Sequence, residues 1–425
     1  MSQLRVLIVG ASIAGTSAAY WFRKAGADVT VIERFPSFRR TGQNVDIRTV
    51  GVEVMRKMPG MEAAVRAATT SMDSISFVDA RGRSYGAISA TGDPDQQSLV
   101  SEYEIFRGKL ADIIYRYTKD DERVRYVFGE QLASMTTTTP AGEGGNGGPV
   151  VVEYANGRRS EEFDLVVACD GATSRTRALG LGCGVRDHII TTNHWAAYFD
   201  IEEDLLEGSR VGLSYSAPGG RMVCLGPDPE GGCKGVLLSI AASSADDLTG
   251  PFRAAQKDDD ALRSFVAARY RGAGWRTDDI VDRMMTSKAF YASEMVKVHT
   301  DTLSRGGHFA LVGDAGYAAP SGAGTTLAMA GAYVLAGEVA ARPGDLEAAL
   351  AAYERTMRPL VGEMQKVSPL FWSVMAPQTS WGIALRNRII QFVCWTRVLD
   401  VAQKLFAGAF SSSEKHVLPE YEWVD

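Results

Sequence analysis

Three acids stand at or just past the ends of apolar runs, and each is followed by or faces a turn of small residues: Glu33, Asp170 and Asp314. A carboxylate at the C-terminal edge of a buried strand is a group that can hold a sugar hydroxyl. The first acid lies downstream of Gly10-Ala11-Ser12-Ile13-Ala14-Gly15, which follows the apolar run Val6-Leu7-Ile8-Val9. Gly10 permits a sharp turn, and Gly15 lets the next helix approach the strand closely. Ser12 replaces the middle glycine of a dinucleotide fingerprint; it is small enough to leave room for a pyrophosphate and can donate its hydroxyl. Ile13 and Ala14 open a helix whose free N–H groups and positive end would face that phosphate. Glu33, followed by Arg34, lies about 20 residues on, where a carboxylate takes both hydroxyls of an adenosine ribose and rejects a 2′-phosphate. The competing reading is an ordinary strand–turn–helix with a chance acid; the context strand, the helix and Glu33 together weigh against it.

The second stretch, residues 163–177, ends an apolar run in Asp170-Gly171 and then presents Ser174 and Arg177. The third, residues 308–326, runs through Gly313-Asp314 into a turn containing Pro320, Gly322, Gly324 and Thr325. Asp314 can bond a sugar-alcohol hydroxyl, and the N–H groups of residues 322–326 with a helix behind them form an electropositive pocket. Taken alone, Asp314 is equally readable as a helix-capping acid. A polar loop at 37–48, with Gln43 and Arg48, and Arg107 at a helix entrance could reach a ligand. Locally, a solvated connector with surface arginines explains them as well.

These residues need a scaffold, and 425 residues suffice for two or three domains with a large core. Composition is 45% hydrophobic and 23% charged with a net charge of −6, and no basic stripe points to nucleic acid. A strand pattern beginning by residue 5 leaves no room for a signal peptide, and five scattered cysteines suit a reducing, cytoplasmic setting. Neither cysteines nor histidines have metal-ligand spacing, so no metal is expected. The apolar stretch 389–410 is interrupted by Arg397, Asp400, Gln403 and Lys404, which reads as an amphipathic helix and not a membrane span. Strands are expected at 194–201, 210–215, 221–225 and 235–240, and a helix over 251–272. Alternation puts His194, Ala196, Tyr198 and Asp200 on one face of the first strand and Trp195, Ala197, Phe199 and Ile201 on the other. Residues 136–149 are low-complexity and read as a hairpin tip without function.

In order and motif, the three stretches resemble the group A flavoprotein monooxygenases, the p-hydroxybenzoate hydroxylase superfamily. The resemblance is closest to the branch of tetracycline-inactivating and secondary-metabolite enzymes. Residues 10–15 look like that branch's first fingerprint, serine included. Asp170-Gly171 with Ser174 and Arg177 fits the DGxxSxxR pattern, and Gly313-Asp314 the GD motif. Gln43 to Arg48 and Arg107 resemble the flavin-proximal loop and the flavin-contacting arginine. The resemblance covers residues 5–360; it departs at Tyr317, where the family often has histidine, and in a shortened 314–322 loop.

The resemblance implies an α/β fold: a discontinuous, Rossmann-like FAD-binding domain (1–73, 101–183, 283–360) interleaved with a mixed β-sheet substrate domain (74–100, 184–282), then a C-terminal helical region (361–425). FAD would lie extended, with adenosine at Glu33, pyrophosphate on the first helix, ribityl at Asp314 and ring beside 322–326. NAD(P)H would bind transiently without a Rossmann unit of its own, its phosphates met by Arg39, Arg40 and Arg48. Reduced flavin and O2 would give a C4a-hydroperoxide that transfers oxygen to an aromatic or polycyclic substrate in a dry chamber. Tyr198, Phe199, Tyr215 and Met222 would make that chamber apolar. His194 or Tyr198 could deprotonate a phenol, although core packing explains both. The alternatives are an FAD reductase or dehydrogenase of this fold without oxygen insertion, and a non-catalytic flavin-bound protein that sequesters a ligand.

Overall fold

The computed structural model describes residues 3–39, 42–70, 72–91, 100–138, 148–242, 247–396 and 416–424. Five parallel strands run in the order Phe309–Leu311, Leu165–Ala168, Arg5–Val9, Asp28–Glu33 and Val124–Phe128, with Ser304–Arg305 antiparallel at one edge. Val6, Leu7 and Ile8 are fully buried, as expected of a parallel strand covered on both faces. Register sets where the chain leaves the sheet. Val9 is level with both Ile32 and Ala168, and Ala168 is level with Leu311. The three acids and the first Gly-rich turn therefore emerge at one edge, the place where open α/β sheets bind ligands.

The helix Ile13–Lys24 follows the first turn and packs beside Gly324–Ala341. The latter is apolar all round and almost wholly buried, which makes it a central helix and not a surface one. Trp21 meets Tyr333 edge-on with ring centres 4.9 Å apart, and Trp423 lies 4.7 Å from Trp21. The segment 416–424 is extended and returns to this helix pair, with the Val424 N–H donating to the Lys24 carbonyl.

A second, seven-stranded sheet has the order Tyr291–Val298, Ile189–Ile201, Cys233–Ser239, Arg221–Pro227, Val211–Ala217, Ser74–Val78 and Ser84–Ser89. Trp195, Ala197, Phe199 and Ile201 enter a core shared with the helices Thr249–Ala255, Asp259–Tyr270 and Thr277–Thr286. The other face carries His194, Ala196, Tyr198 and Asp200, as the two-residue period requires. The sequence-based helix over 251–272 is two helices. Asp258 breaks it, its side chain accepting from the Ala261 N–H as an N-cap.

Within the segment 283–360, expected to belong to the FAD-binding unit, Tyr291–Val298 hydrogen-bonds along Ile189–Ile201 as a strand of the second sheet. Within 361–425, the helix Ser380–Trp395 lies against Ser84–Ser89. The expected hairpin at 136–149 joins the paired strands Leu132–Thr137 and Val150–Tyr154; its residues 139–147, with Arg40 and 397–410, fall outside the described residues. No helix among the described residues is long and apolar enough to cross a membrane.

Candidate active site

At the shared sheet edge the turn geometry is forced by sterics. Gly10 has φ +107°, and a Cβ there would stand 2.6 Å from the Cys169 carbonyl oxygen. A Cβ on Gly15 would stand 1.8 Å from the Gly10 oxygen, so helix and strand meet only because both positions lack side chains. Glu33 closes the turn: its carboxylate accepts from the Ala11 N–H at 2.9 Å and the Phe35 N–H at 3.1 Å. Ser12 stands at the helix N-cap without capping it; its hydroxyl instead accepts from Arg107 at 3.0 and 3.2 Å.

Asp314 begins a one-turn helix, Asp314–Tyr317, directly after the third strand. Its carboxylate keeps accessible surface and has no hydrogen-bond partner among the described residues. It stands deep enough that burial raises its pKa, against the pull of the nearby Arg107. The carboxylate is thus accessible yet crowded, and it stands outside the lining of the main cleft. A Cβ on Gly313 would lie 2.9 Å from Ala14, and one on Gly324 would lie 3.2 Å from the Asp314 carboxylate. The structure thus gathers Ser12, Ala14, Arg107, Asp314 and Gly324. Gly322, at φ +83°, turns the chain toward that helix start beside Pro320 and Thr325. Tyr317, in the histidine position, points into the core, where its hydroxyl pairs with Tyr353 at 3.1 Å.

Asp170 is bonded within its own turn, one oxygen accepting from the Ser174 hydroxyl and the other from the Thr176 N–H and hydroxyl. Arg177, fully buried, donates to the carbonyls of Ala172, Val185 and Ala315. The motif ties this turn to the Asp314 helix through Arg177, and Asp170, like Asp314, stands outside the lining of the main cleft.

That cleft, about 570 Å³, opens between the two halves. Ser12, Glu33, Arg39, Gln43 and Arg107 line one side, and Tyr198, Phe199 and Tyr291 the other. Tyr198 and Tyr291 stack with ring centres 6.2 Å apart, and burial pushes the Tyr198 phenol up to about 12. Tyr198 is therefore a hydrogen-bond donor at neutral pH and a poor base. Arg39 lies over the Phe35 ring at 4.1 Å; burial lowers its pKa, Arg107 lowers it further and Glu33 opposes both. Arg34 also faces Phe35, and Arg48 is ion-paired with Asp46 at 2.9 Å.

His194 lies apart from this cleft, edge-on to Trp372 at 5.0 Å, with Nδ1 accepting from the Ala241 N–H at 3.2 Å. Burial lowers its pKa, against a backbone hydrogen bond at Asn193 that raises it. Tyr291, which lines the cleft, was missed in the sequence, because a partly exposed edge strand has no strong alternation.

Gln43 and Arg107 are held together by a short antiparallel ribbon, Asn44–Asp46 with Glu104–Phe106, and the Arg107 N–H donates to the Gln43 carbonyl at 2.9 Å. Glu104 is buried in this ribbon directly across from Asp46, with Asn44 and Thr70 as donors and Arg48 nearby. Burial first, then the Asp46 charge, pushes its pKa up from 4.5 to about 7. The folded state then binds more protons than the unfolded one through that window, so this group costs stability as pH rises from 4.5 to about 7. Glu104→Gln is expected to flatten that decline and to raise the melting temperature at about pH 8 while changing little at about pH 4. Melting curves of the FAD-free protein across that range check it.

A family model described as "FAD binding domain" matches residues 3–367. The FAD-dependent monooxygenase asL4 of Sarocladium schorii is 31% identical, with 94% of each chain covered. Monooxygenase CTB7 of Cercospora beticola is 29% identical, over 99% of this chain and 98% of its own. In fold, the chain resembles the tetracycline destructase Tet(51), with TM-score 0.75, 24% identity and coverage of 99% and 100%. It also resembles HpxO of Klebsiella pneumoniae, solved with FAD and uric acid, with TM-score 0.69, 20% identity and coverage of 96% and 97%. The turn that only glycines allow, the acids gathered at one sheet edge and these relatives agree: the chain belongs to the FAD-binding-domain family of FAD-dependent monooxygenases.

Proposed function

We propose that the enzyme uses NAD(P)H and O2 to insert one oxygen atom into an aromatic or polycyclic small molecule, in the secondary metabolism of the cytoplasm. The observation that carries this reading is the cleft in which the cofactor edge of the first sheet faces the Tyr198–Tyr291 pair on the second. FAD, when bound, supplies the activation of O2 at C4a of its reduced ring. The residues present fit it. Glu33 and the Ala11 turn would hold the adenosine, Ser12 and Arg107 with the first helix the pyrophosphate, and Asp314 the ribityl chain. The start of Gly324–Ala341 would face the ring, its N-terminal partial charge stabilising negative charge on the pyrimidine edge. Tyr198 can donate a hydrogen bond to a substrate oxygen, and the aromatic wall keeps water from the reacting carbon. The relatives named as monooxygenases support oxygen insertion as the reaction.

Purified protein is expected to be yellow and to release FAD on denaturation. In a screen of phenolic, polyketide and indolic compounds, a substrate accelerates NAD(P)H oxidation with matching O2 uptake and yields a product heavier by one oxygen atom. NAD(P)H oxidation without stoichiometric O2 uptake would instead identify a reductase. Absence of oxidation across the panel would favour a ligand-sequestering protein.

A further inference from the structure

The Thr326 hydroxyl is buried and serves the main chain of a residue far away in sequence. It donates to the Arg48 carbonyl at 3.0 Å and accepts from the Arg48 N–H at 3.0 Å. A hydroxyl is among the few side-chain groups that can do both through one atom. Gly51 makes room for it, since a Cβ there would stand 3.0 Å from the Thr326 hydroxyl oxygen. The same Arg48 carbonyl also accepts from the Gly51 N–H at 2.8 Å, closing a four-residue turn.

The second residue of that turn is Thr49, at φ +50° and ψ −123°. These angles belong to the first central position of a type II′ turn, which favours glycine. A β-branched residue there is strained, and Thr49 gains nothing locally, because its own hydroxyl is buried without a partner. Such a conformation persists only where its surroundings over-determine it. The two hydrogen bonds between Thr326 and Arg48 hold the residue at which that turn begins.

We propose that Thr326 is a positioning residue: it latches residues 43–48, through the strained turn at Thr49, onto the first turn of Gly324–Ala341 and so fixes the wall beside the flavin ring before FAD binds. This rests on the reading of residues 322–326 as the ring side of the site.

Thr326→Val keeps the shape and removes both bonds. It is expected to weaken FAD binding about tenfold by flavin-fluorescence titration, and Thr326→Ser is expected to restore it. Thr49→Gly removes the strain, so it is expected to raise the melting temperature of the FAD-free protein. It is also expected to return most of the lost affinity when combined with Thr326→Val, because an unstrained turn needs no latch. A mere packing role for Thr326 would not produce that rescue. Unchanged FAD affinity in Thr326→Val, or a double variant no better than the single one, overturns the proposal. If Thr326→Val does not fold, Thr49→Gly decides: a lowered melting temperature overturns the strain on which the latch depends. Wild-type protein that takes up no FAD overturns the reading of the site itself, whereas intact wild-type binding with an indifferent Thr326→Val overturns the latch alone.

Discussion

Glu33→Ala is expected to lower FAD affinity by a hundredfold or so and to yield protein that is nearly colourless as purified. Two bonds from backbone N–H groups end on this carboxylate, one of them at the turn where the pyrophosphate would rest. A hydrogen bond to a charged group contributes roughly 1.5–3 kcal/mol, so losing one ligand contact and the turn's brace amounts to about two powers of ten or more in the dissociation constant. Asp314→Asn makes the informative contrast. That carboxylate has no hydrogen-bond partner to lose among the described residues, and the burial that disfavours its charge outweighs the pull of Arg107. FAD affinity should therefore fall in both variants, while the FAD-free protein is destabilised by Glu33→Ala and stabilised by Asp314→Asn. Titration with FAD and melting of the FAD-free protein measure the two halves separately. A stabilising loss of affinity marks a group kept for its ligand and not for the fold. Asp314→Asn with full affinity would remove Asp314 from the cofactor's path.

The difference between these two acids bears on how much the sequence discloses. Both end apolar runs followed by small residues, and it was the order of the motifs and the resemblance they carry, more than either acid alone, that set them on one ligand; the parallel register then brings them to one sheet edge. The alternation of His194 to Ile201 likewise separated the two faces of the strand, since they follow from its period, although Phe199 belongs to the core face and still reaches the cleft. What the pattern leaves open is which member of a face meets the cleft. Tyr198 does and His194 does not, because Trp372, far along the chain, covers the end of the sheet where His194 lies. Asp170 shows the same limit: a turn acid looks alike whether it faces a ligand or its own backbone. Thr326 and Thr49 were illegible for a related reason, since a hydroxyl bonded across 278 positions, or a turn forced to positive φ, has no local signature.

Arg177 makes that distinction testable at large amplitude. Its guanidinium is fully buried and joins three segments, the Asp170 turn through Ala172, the following loop through Val185, and the Asp314 helix through Ala315. Replacing it with leucine leaves three carbonyls without donors, each worth roughly 1–3 kcal/mol when desolvated, against a saving because burial already disfavours the charge. A net loss of about 4 kcal/mol is a large share of the 5–15 kcal/mol that holds a typical domain. Arg177→Leu should therefore fall in soluble yield and melt well below the parent. Arg177→Lys should recover only part, because a single ammonium cannot span three acceptors set for a planar fork. Added FAD should raise the melting temperature of either variant more than that of the parent, because in the proposed reading FAD binds against the Asp314 helix that Arg177 braces. If FAD gives the variants no more protection than it gives the parent and Arg177→Leu melts like it, the Asp170–Arg177 motif is not a brace, and the Asp314 helix must be held by its core contacts around Tyr317 and Tyr353 alone.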